Sequence, residues 1–430
     1  MLRFIILNRS EDIPSSGANT CYLIIDNWND FSFITSFYLS IHDEGGTYHK
    51  IGGVKIGFFG QTEQESTEQA LRKLSLIEEL PSSFFSLGIG SEYYHNLSTL
   101  NESFRNTLMV ALRDVVFNSE LIKKVENERV FKISLLREAS ISVIEGKYKR
   151  FLYGDNSNIS FHFAFHPTLG EFGNKLLKFK VVKKPQPSLT TNVHALIGRN
   201  GTGKTTLLNK IVRTALSPRE SLSHILDLEA TPLRPIPKNY FSSIVSVSFS
   251  SFDLEAPPLE QRDPSKGTCY SYIGLKKPGS GQLKTLNERR IEMCESLFDC
   301  FHNAESLLNG DNKKRDRFWH AVKLLSSDYS IKSFGLETLW DEYNCIFNDF
   351  MREEVGAIID PVEIDKKFRK TFTQKFLNLL PDMSSGHAIV LMTTFSLISK
   401  VDEKSLVLID EPESHLHPLY YQLLFELFHG

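Results

Sequence analysis

Cysteine is scarce in this chain of 430 residues. Five are scattered along it (Cys21, Cys269, Cys294, Cys300 and Cys345), an odd number with no CxxC pair. That argues against a disulfide framework or a structural zinc, and the reducing cytosol is the natural compartment. Long apolar runs are missing too. Stretches such as Leu406–Ile409 fall far short of the roughly 20 residues that a membrane span requires. The start, Met1–Arg9, is briefly apolar, but its alternation runs into a polar loop without a small-residue cleavage site, so it reads as a strand. Excess charge of either sign is absent. A formal net charge of −3 provides no global basic field for nucleic acid. Basic clusters at Lys147–Arg150, Lys175–Lys184 and Lys313–Arg317 read first as solvated surface, with a local DNA-contacting groove as the sharper alternative. There are no internal repeats and no sustained heptads, so a long coiled-coil arm is unsupported.

What is present suggests two or three domain-sized units. Residues 33–58 read as a β-hairpin: aromatic and β-branched runs flank the turn Asp43-Glu-Gly-Gly-Thr. Phe104, Leu108, Leu112, Val115 and Val116 then recur at helical spacing, so residues 63–150 are expected to be mostly helical. Strand character returns at Phe161–Phe165 and Leu177–Val182, before a break at Pro185-Gln-Pro. Ile244–Phe249 reads as another strand. Residues 255–285, rich in Pro, Gly, Ser and Lys, suggest a long loop or mobile insertion, and residues 286–380 look helical.

The strongest motif is GxxxxGK[ST] at Gly198–Thr205. Ala195-Leu-Ile before it is a short buried-strand signal, and Leu207, Leu208, Ile211, Val212, Ala215 and Leu216 after it form a helical stripe ending at Ser217-Pro218. Strand, glycine loop and helix in that order let backbone N–H groups and a helix N-terminus surround phosphate oxygens. The expected nucleotide cradle is Gly198, Arg199, Asn200, Gly201, Thr202, Gly203, Lys204, Thr205 and Thr206. Lys204 reaches the β- and γ-phosphates and the Thr205 hydroxyl coordinates Mg²⁺. A chance glycine turn lacks these flanks.

Leu406-Val-Leu-Ile-Asp-Glu is four apolar residues ending in two carboxylates. A buried parallel strand would deliver them to the ligand crevice of an α/β sheet. Asp410 is then the Walker B acid on Mg²⁺, and Glu411 the general base that polarises the attacking water. Some two dozen residues upstream, Ser384 is a good N-cap for an apolar helix beginning near Ala388. His415 and His417 lack further ligands, so they read as interface residues rather than a metal site. Asp360 and Glu363 have no two-metal constellation, and a nuclease reading is rejected.

With these residues in view, a resemblance appears. Ser384-Ser385-Gly386 resembles the signature LSGGQ of ABC-type ATPases, with Met383 and His387 in place of the usual Leu and Gln. Asp410-Glu-Pro-Glu-Ser-His-Leu-His-Pro resembles the Walker B and D-loop of the RecF/SMC/OLD branch. The implied fold is α/β: a P-loop ABC-type head with a central mixed sheet flanked by helices and an antiparallel β lobe. It implies an N-terminal β-hairpin and helical extension over residues 1–155, packed on a head over 156–430 that carries a helical insertion at 255–380. It also implies two heads that sandwich ATP and Mg²⁺, with Ser384, Ser385 and Gly386 acting in trans on the partner's nucleotide. No glutamine stands where the Q-loop belongs; Ser250-Ser251-Phe252-Asp253 occupies that stretch.

A less specific resemblance, carried by Phe37-Tyr-Leu-Ser, Val54-Lys-Ile-Gly, Leu87–Leu97 and Leu112-Arg-Asp, is to the PtuA ATPases of Septu and retron-linked anti-phage systems. It implies a partner HNH nuclease, PtuB-like, and in some systems a retron reverse transcriptase with its branched DNA. The alternatives are a RecF-like repair ATPase that binds DNA itself and a non-hydrolysing nucleotide-gated scaffold. In the resembled family another core strand and a switch histidine follow Walker B, and none follows here before Gly430. The reading therefore expects a C-terminally truncated chain, with ATP binding more secure than hydrolysis.

Overall fold

The computed structural model describes residues 2–26, 29–30, 33–74, 76–137, 139, 141–154, 160–168, 176–182, 192–199, 201–217, 223–237, 240–250, 255–263, 268–302, 313–353, 361–380 and 383–412. Asn200, Ser251–Asp253, Asp360, His415, His417 and the C-terminal end expected to be truncated lie outside the described residues.

A five-stranded sheet opens the chain. Its strands are β1 (Arg3–Leu7), β2 (Thr20–Ile25), β5 (Ser36–His42), β6 (Tyr48–Phe58) and β7 (Phe84–Gly88), in that spatial order. The pair β1–β2 is parallel and the others are antiparallel. β5 and β6 form the expected hairpin. The residues just before it belong elsewhere: β3 (Asn29–Asp30) and β4 (Phe33–Ile34) make a separate ribbon. The helical expectation for residues 63–150 needs one correction, because β7 is a strand. All five of its residues are buried, and a short segment enclosed on both faces carries no alternation that separates strand from helix.

Around this sheet stand α1 (Thr67–Arg72), α2 (Gly90–Ser98), α3 (Glu102–Ala111), α4 (Ser119–Val125) and α5 (Arg129–Ile133). The short α6 (Ile141–Val143) runs through a π-helical turn at Ile144–Tyr148 into α7 (Lys149–Leu152). The Asn101 side chain caps α3 by accepting from the Ser103 and Phe104 N–H groups. That fixes the helical stripe, whose Phe104, Leu108 and Leu112 enter a core extending from Leu2 to Leu152.

Two further sheets carry the remaining architecture. Strands β8 (Phe161–His166), β9 (Leu177–Val181), β10 (His224–Asp227) and β11 (Arg234–Pro235) make an antiparallel sheet in the order β11-β10-β8-β9. Phe163 and Phe165 alternate inward, onto Leu207, Ile211 and Ala215 of α8 (Lys204–Leu216). The third sheet is parallel, in the order β13-β12-β14, from β12 (Ser243–Ser248), β13 (Cys269–Gly274) and β14 (Ser405–Ile409). The stretch 255–285, expected as a loop, thus includes a core strand. Tyr270, Tyr272 and Ile273 of β13 are buried, a commitment that its polar flanks hid.

The last helices are α9 (Leu286–Phe301), α10 (Lys313–Leu325), α11 (Tyr329–Lys332), α12 (Leu339–Glu353), α13 (Pro361–Leu379) and α14 (Ser385–Lys400). α9 begins in a full capping box: Thr285 and Glu288 reciprocally satisfy each other's backbone N–H groups. α9 and α14 cover one face of the parallel sheet through Leu297, Phe298, Leu391 and Phe395, and α8 covers the other. A parallel sheet with helices on both faces is the α/β layering of a P-loop ATPase.

Candidate nucleotide-binding site

The P-loop leads into α8. Gly201 and Gly203 have φ of +80° and +85°, backbone that a residue with a Cβ rarely adopts, and Gly203 is the N-cap. The loop closes on itself through the Thr202 N–H and hydroxyl, which donate to the Arg199 carbonyl at 3.3 and 2.8 Å. A Cβ on Gly198 would lie 2.8 Å from the Thr202 Oγ1, so that close approach needs glycine. The Lys204 ammonium folds back over the loop, donating to the Gly198 and Arg199 carbonyls at 3.0 and 3.4 Å. A lysine spread over backbone acceptors in a glycine loop at a helix N-terminus is arranged to exchange those carbonyls for phosphate oxygens.

The deciding contact is long-range. Thr205 Oγ1 donates to Asp410 Oδ2 at 2.8 Å, across 205 positions of sequence. Asp410 sits just beyond β14, and its N–H donates to the Val247 carbonyl of β12 at 2.9 Å. Parallel pairing of β14 with β12 thus brings the carboxylate to the start of α8. Glu411 follows with φ +45°, a left-handed conformation in a residue with a Cβ, of the kind that clusters at functional sites. A threonine hydroxyl beside a carboxylate is a hard-oxygen set that fits Mg²⁺, and the loop fits a polyphosphate. Thr205 and Asp410 would hold the metal, which when bound neutralises phosphate charge.

Two expectations change. Ala195–Ile197 is not a buried strand. Residues 192–199 are irregular and mostly exposed, Ile197 at 96 %. An apolar run becomes a buried strand only beside ladder partners, and among the described residues none pairs with it. β14 is parallel as expected but only half-buried along its length: Leu406 and Leu408 pack toward α8, Val407 and Ile409 toward the opposite helices.

Ser384 caps α14, its Oγ accepting from the His387 N–H at 3.3 Å and lying 3.0 Å from His387 Nδ1. Ser384, Ser385 and Gly386 are exposed. Among the described residues, no hydrogen bond joins them to Gly198–Thr206. The P-loop and Walker B residues are brought together; the signature-like residues face outward.

Sequence reading missed part of the surroundings of Asp410. Asn209, Ser248, Glu255, Tyr272 and Lys276 line a cleft with it between α8 and the parallel sheet. The Tyr272 hydroxyl donates to the Ser248 carbonyl at 2.9 Å, which ties the ends of β12 and β13 together. The strand Ile244–Ser248 signalled Ser248; Lys276 and Tyr272 gave no motif.

The chain is 41 % identical over 419 residues to "Protein ea59" of Escherichia phage lambda, an alignment covering 97 % of this chain and 76 % of the phage protein. It belongs to the ea59 family. Residues 365–429 of this family member also match the family described as "AAA domain, putative AbiEii toxin, Type IV TA system". That match spans the Walker B segment, and with the fold it identifies an α/β P-loop ATPase. No solved structure matches the chain. Among the described residues no helix is long and apolar enough to cross a membrane.

Proposed function

We propose that this protein binds ATP with Mg²⁺ and hydrolyses it as a nucleotide-driven dimer. The observation that carries the reading is the 2.8 Å contact between Thr205 and Asp410, which joins the two halves of a phosphate and metal site. Lys204 binds the β- and γ-phosphates, Thr205 and Asp410 hold the metal, and Glu411 polarises the attacking water. Ser384, Ser385 and Gly386, exposed and without a hydrogen bond to the chain's own P-loop among the described residues, complete the site of a second copy. A relative from Escherichia phage lambda and a family described as "putative AbiEii toxin, Type IV TA system" favour a role in phage–host conflict. In that setting the dimer controls a partner HNH nuclease.

The test is oligomer size with and without ATP in Glu411→Gln, measured by light scattering, beside ATP turnover of the parent chain. ATP-dependent doubling of mass in the variant and its loss in Lys204→Ala are expected. A mass indifferent to ATP would refute the dimer, and absent turnover in the parent would refute hydrolysis.

A further inference from the structure

The turn Val401–Lys404 joins the C-terminus of α14, whose other end carries Ser384–Gly386, to β14, whose other end carries Asp410 and Glu411. It is also where the N-terminal unit grips the ATPase unit. Arg150 of α7 pairs with Glu403, both largely shielded at 19 % and 25 % exposure. Lys404 lies across the π-helical turn: a Cβ on Gly146 would be 2.7 Å from its ammonium nitrogen. Lys404 has φ +68°, where glycine is the usual occupant. The Ser242 N–H, donating to the Lys404 carbonyl at 3.1 Å, and the Ser242 hydroxyl, donating to the Glu403 carbonyl at 2.6 Å, hold it so. From the helical insertion, Lys314 donates to the Ser399 carbonyl at 2.7 Å. Lys314, with Lys147 behind it, holds the Asp402 carboxyl below its ordinary value.

We propose that Arg150, Glu403 and Lys404 are positioning residues through which the N-terminal unit sets the Walker B carboxylates. A plain ion pair between two units would be interchangeable glue, and exposed pairs of that kind contribute little. Three features set this one apart. It falls on the turn that links the two motifs proposed to meet ATP. It contains a lysine in a conformation that costs energy unless its surroundings enforce it. Its partner is a π turn, a local irregularity found mostly at functional sites. β14 runs in unbroken register with β12 from Ser405 to Ile409. A shift at the turn therefore moves Asp410 and Glu411 relative to Thr205 rather than being absorbed on the way. Glu403 and Lys404 then act on the reaction without touching nucleotide.

The inference rests on the ATPase reading above, and the experiment separates the two. Arg150→Glu, Glu403→Arg and the double reversal are compared with the parent in steady-state ATP turnover, in ATP binding, and in hydrogen exchange of a peptide covering residues 405–411. Each single reversal should lower kcat about tenfold, a coupling size usual for contacting charges, while changing KM and ATP affinity less than about twofold. The same peptide should exchange faster, and the double reversal should restore both. A parent without turnover refutes the ATPase reading alone, because the exchange comparison still decides the positioning. Exchange at 405–411 that is indifferent to the single reversals overturns the positioning, as does turnover unchanged in folded single variants.

Discussion

Asp114 is fully buried in the turn that follows α3. One carboxylate oxygen accepts from the Val116 and Phe117 N–H groups at 2.8 and 3.1 Å, and the other from the Tyr94 hydroxyl at 3.0 Å. Desolvation outweighs these three donors and pushes its pKa up from 3.8 to about 7. Between those values the folded chain keeps a proton that the unfolded chain has released. The stabilising contribution is therefore complete below the unfolded value and is lost as the pH rises through about 7. At about 1.4 kcal/mol per pKa unit the whole window spans roughly 4 kcal/mol, of which ~3 kcal/mol lies between about pH 5 and about pH 8. Asp114→Asn keeps an oxygen for Val116 and Phe117 and does not titrate. Any fixed cost of turning an amide toward Tyr94 is the same at both pH values and cancels. Urea unfolding followed by circular dichroism at the two pH values gives the comparison. The variant should gain about 3 kcal/mol on the parent as the pH rises across that range. Parallel pH profiles for the two proteins would refute the argument that burial, rather than hydrogen bonding, controls this carboxyl.

Thr205→Val keeps the shape of the side chain and removes the hydroxyl that meets Asp410 at 2.8 Å. Hydrogen bonds to charged groups are worth about 1.5–3 kcal/mol, so titration calorimetry with ATP should show at least a tenfold loss, on the order of 10 or more, confined to the Mg²⁺-containing buffer; an equal loss without metal would count against Thr205 as a ligand. Phe372 is fully buried on α13, stacked on Phe376 at 4.9 Å between ring centroids and tilted against Phe298. Phe372→Ala should cost about 3–5 kcal/mol in denaturant unfolding, and a loss under about 1 kcal/mol would mean that this aromatic cluster is not a packed core.

The parts of the site legible in the sequence are those fixed by neighbours along the chain. Glycines at 201 and 203 are demanded by local backbone conformation, and Lys204 follows from its place at the first turn of α8, so spacing alone reveals them. The same holds for Ser384 as a helix cap and for the hairpin turn at Asp43–Thr47. Burial and pairing are different, because they depend on what arrives from elsewhere. Ala195–Ile197 and Phe84–Gly88 are both short apolar runs. One is irregular and exposed while the other is an enclosed strand, since β6 lies beside the second and no described strand lies beside the first.

By itself, then, the sequence determined a P-loop at the start of a helix and an acidic pair at the end of an apolar strand. These follow from dihedral preference and periodicity, which act over a few residues. Only the tertiary structure decided that Thr205 meets Asp410. It also decided that Arg150 closes on Glu403 beneath the Walker B strand. Each is a meeting of groups distant along the chain, set by parallel strand register and by the packing of apolar faces. Charges on a loop carry no periodicity that could announce their partners.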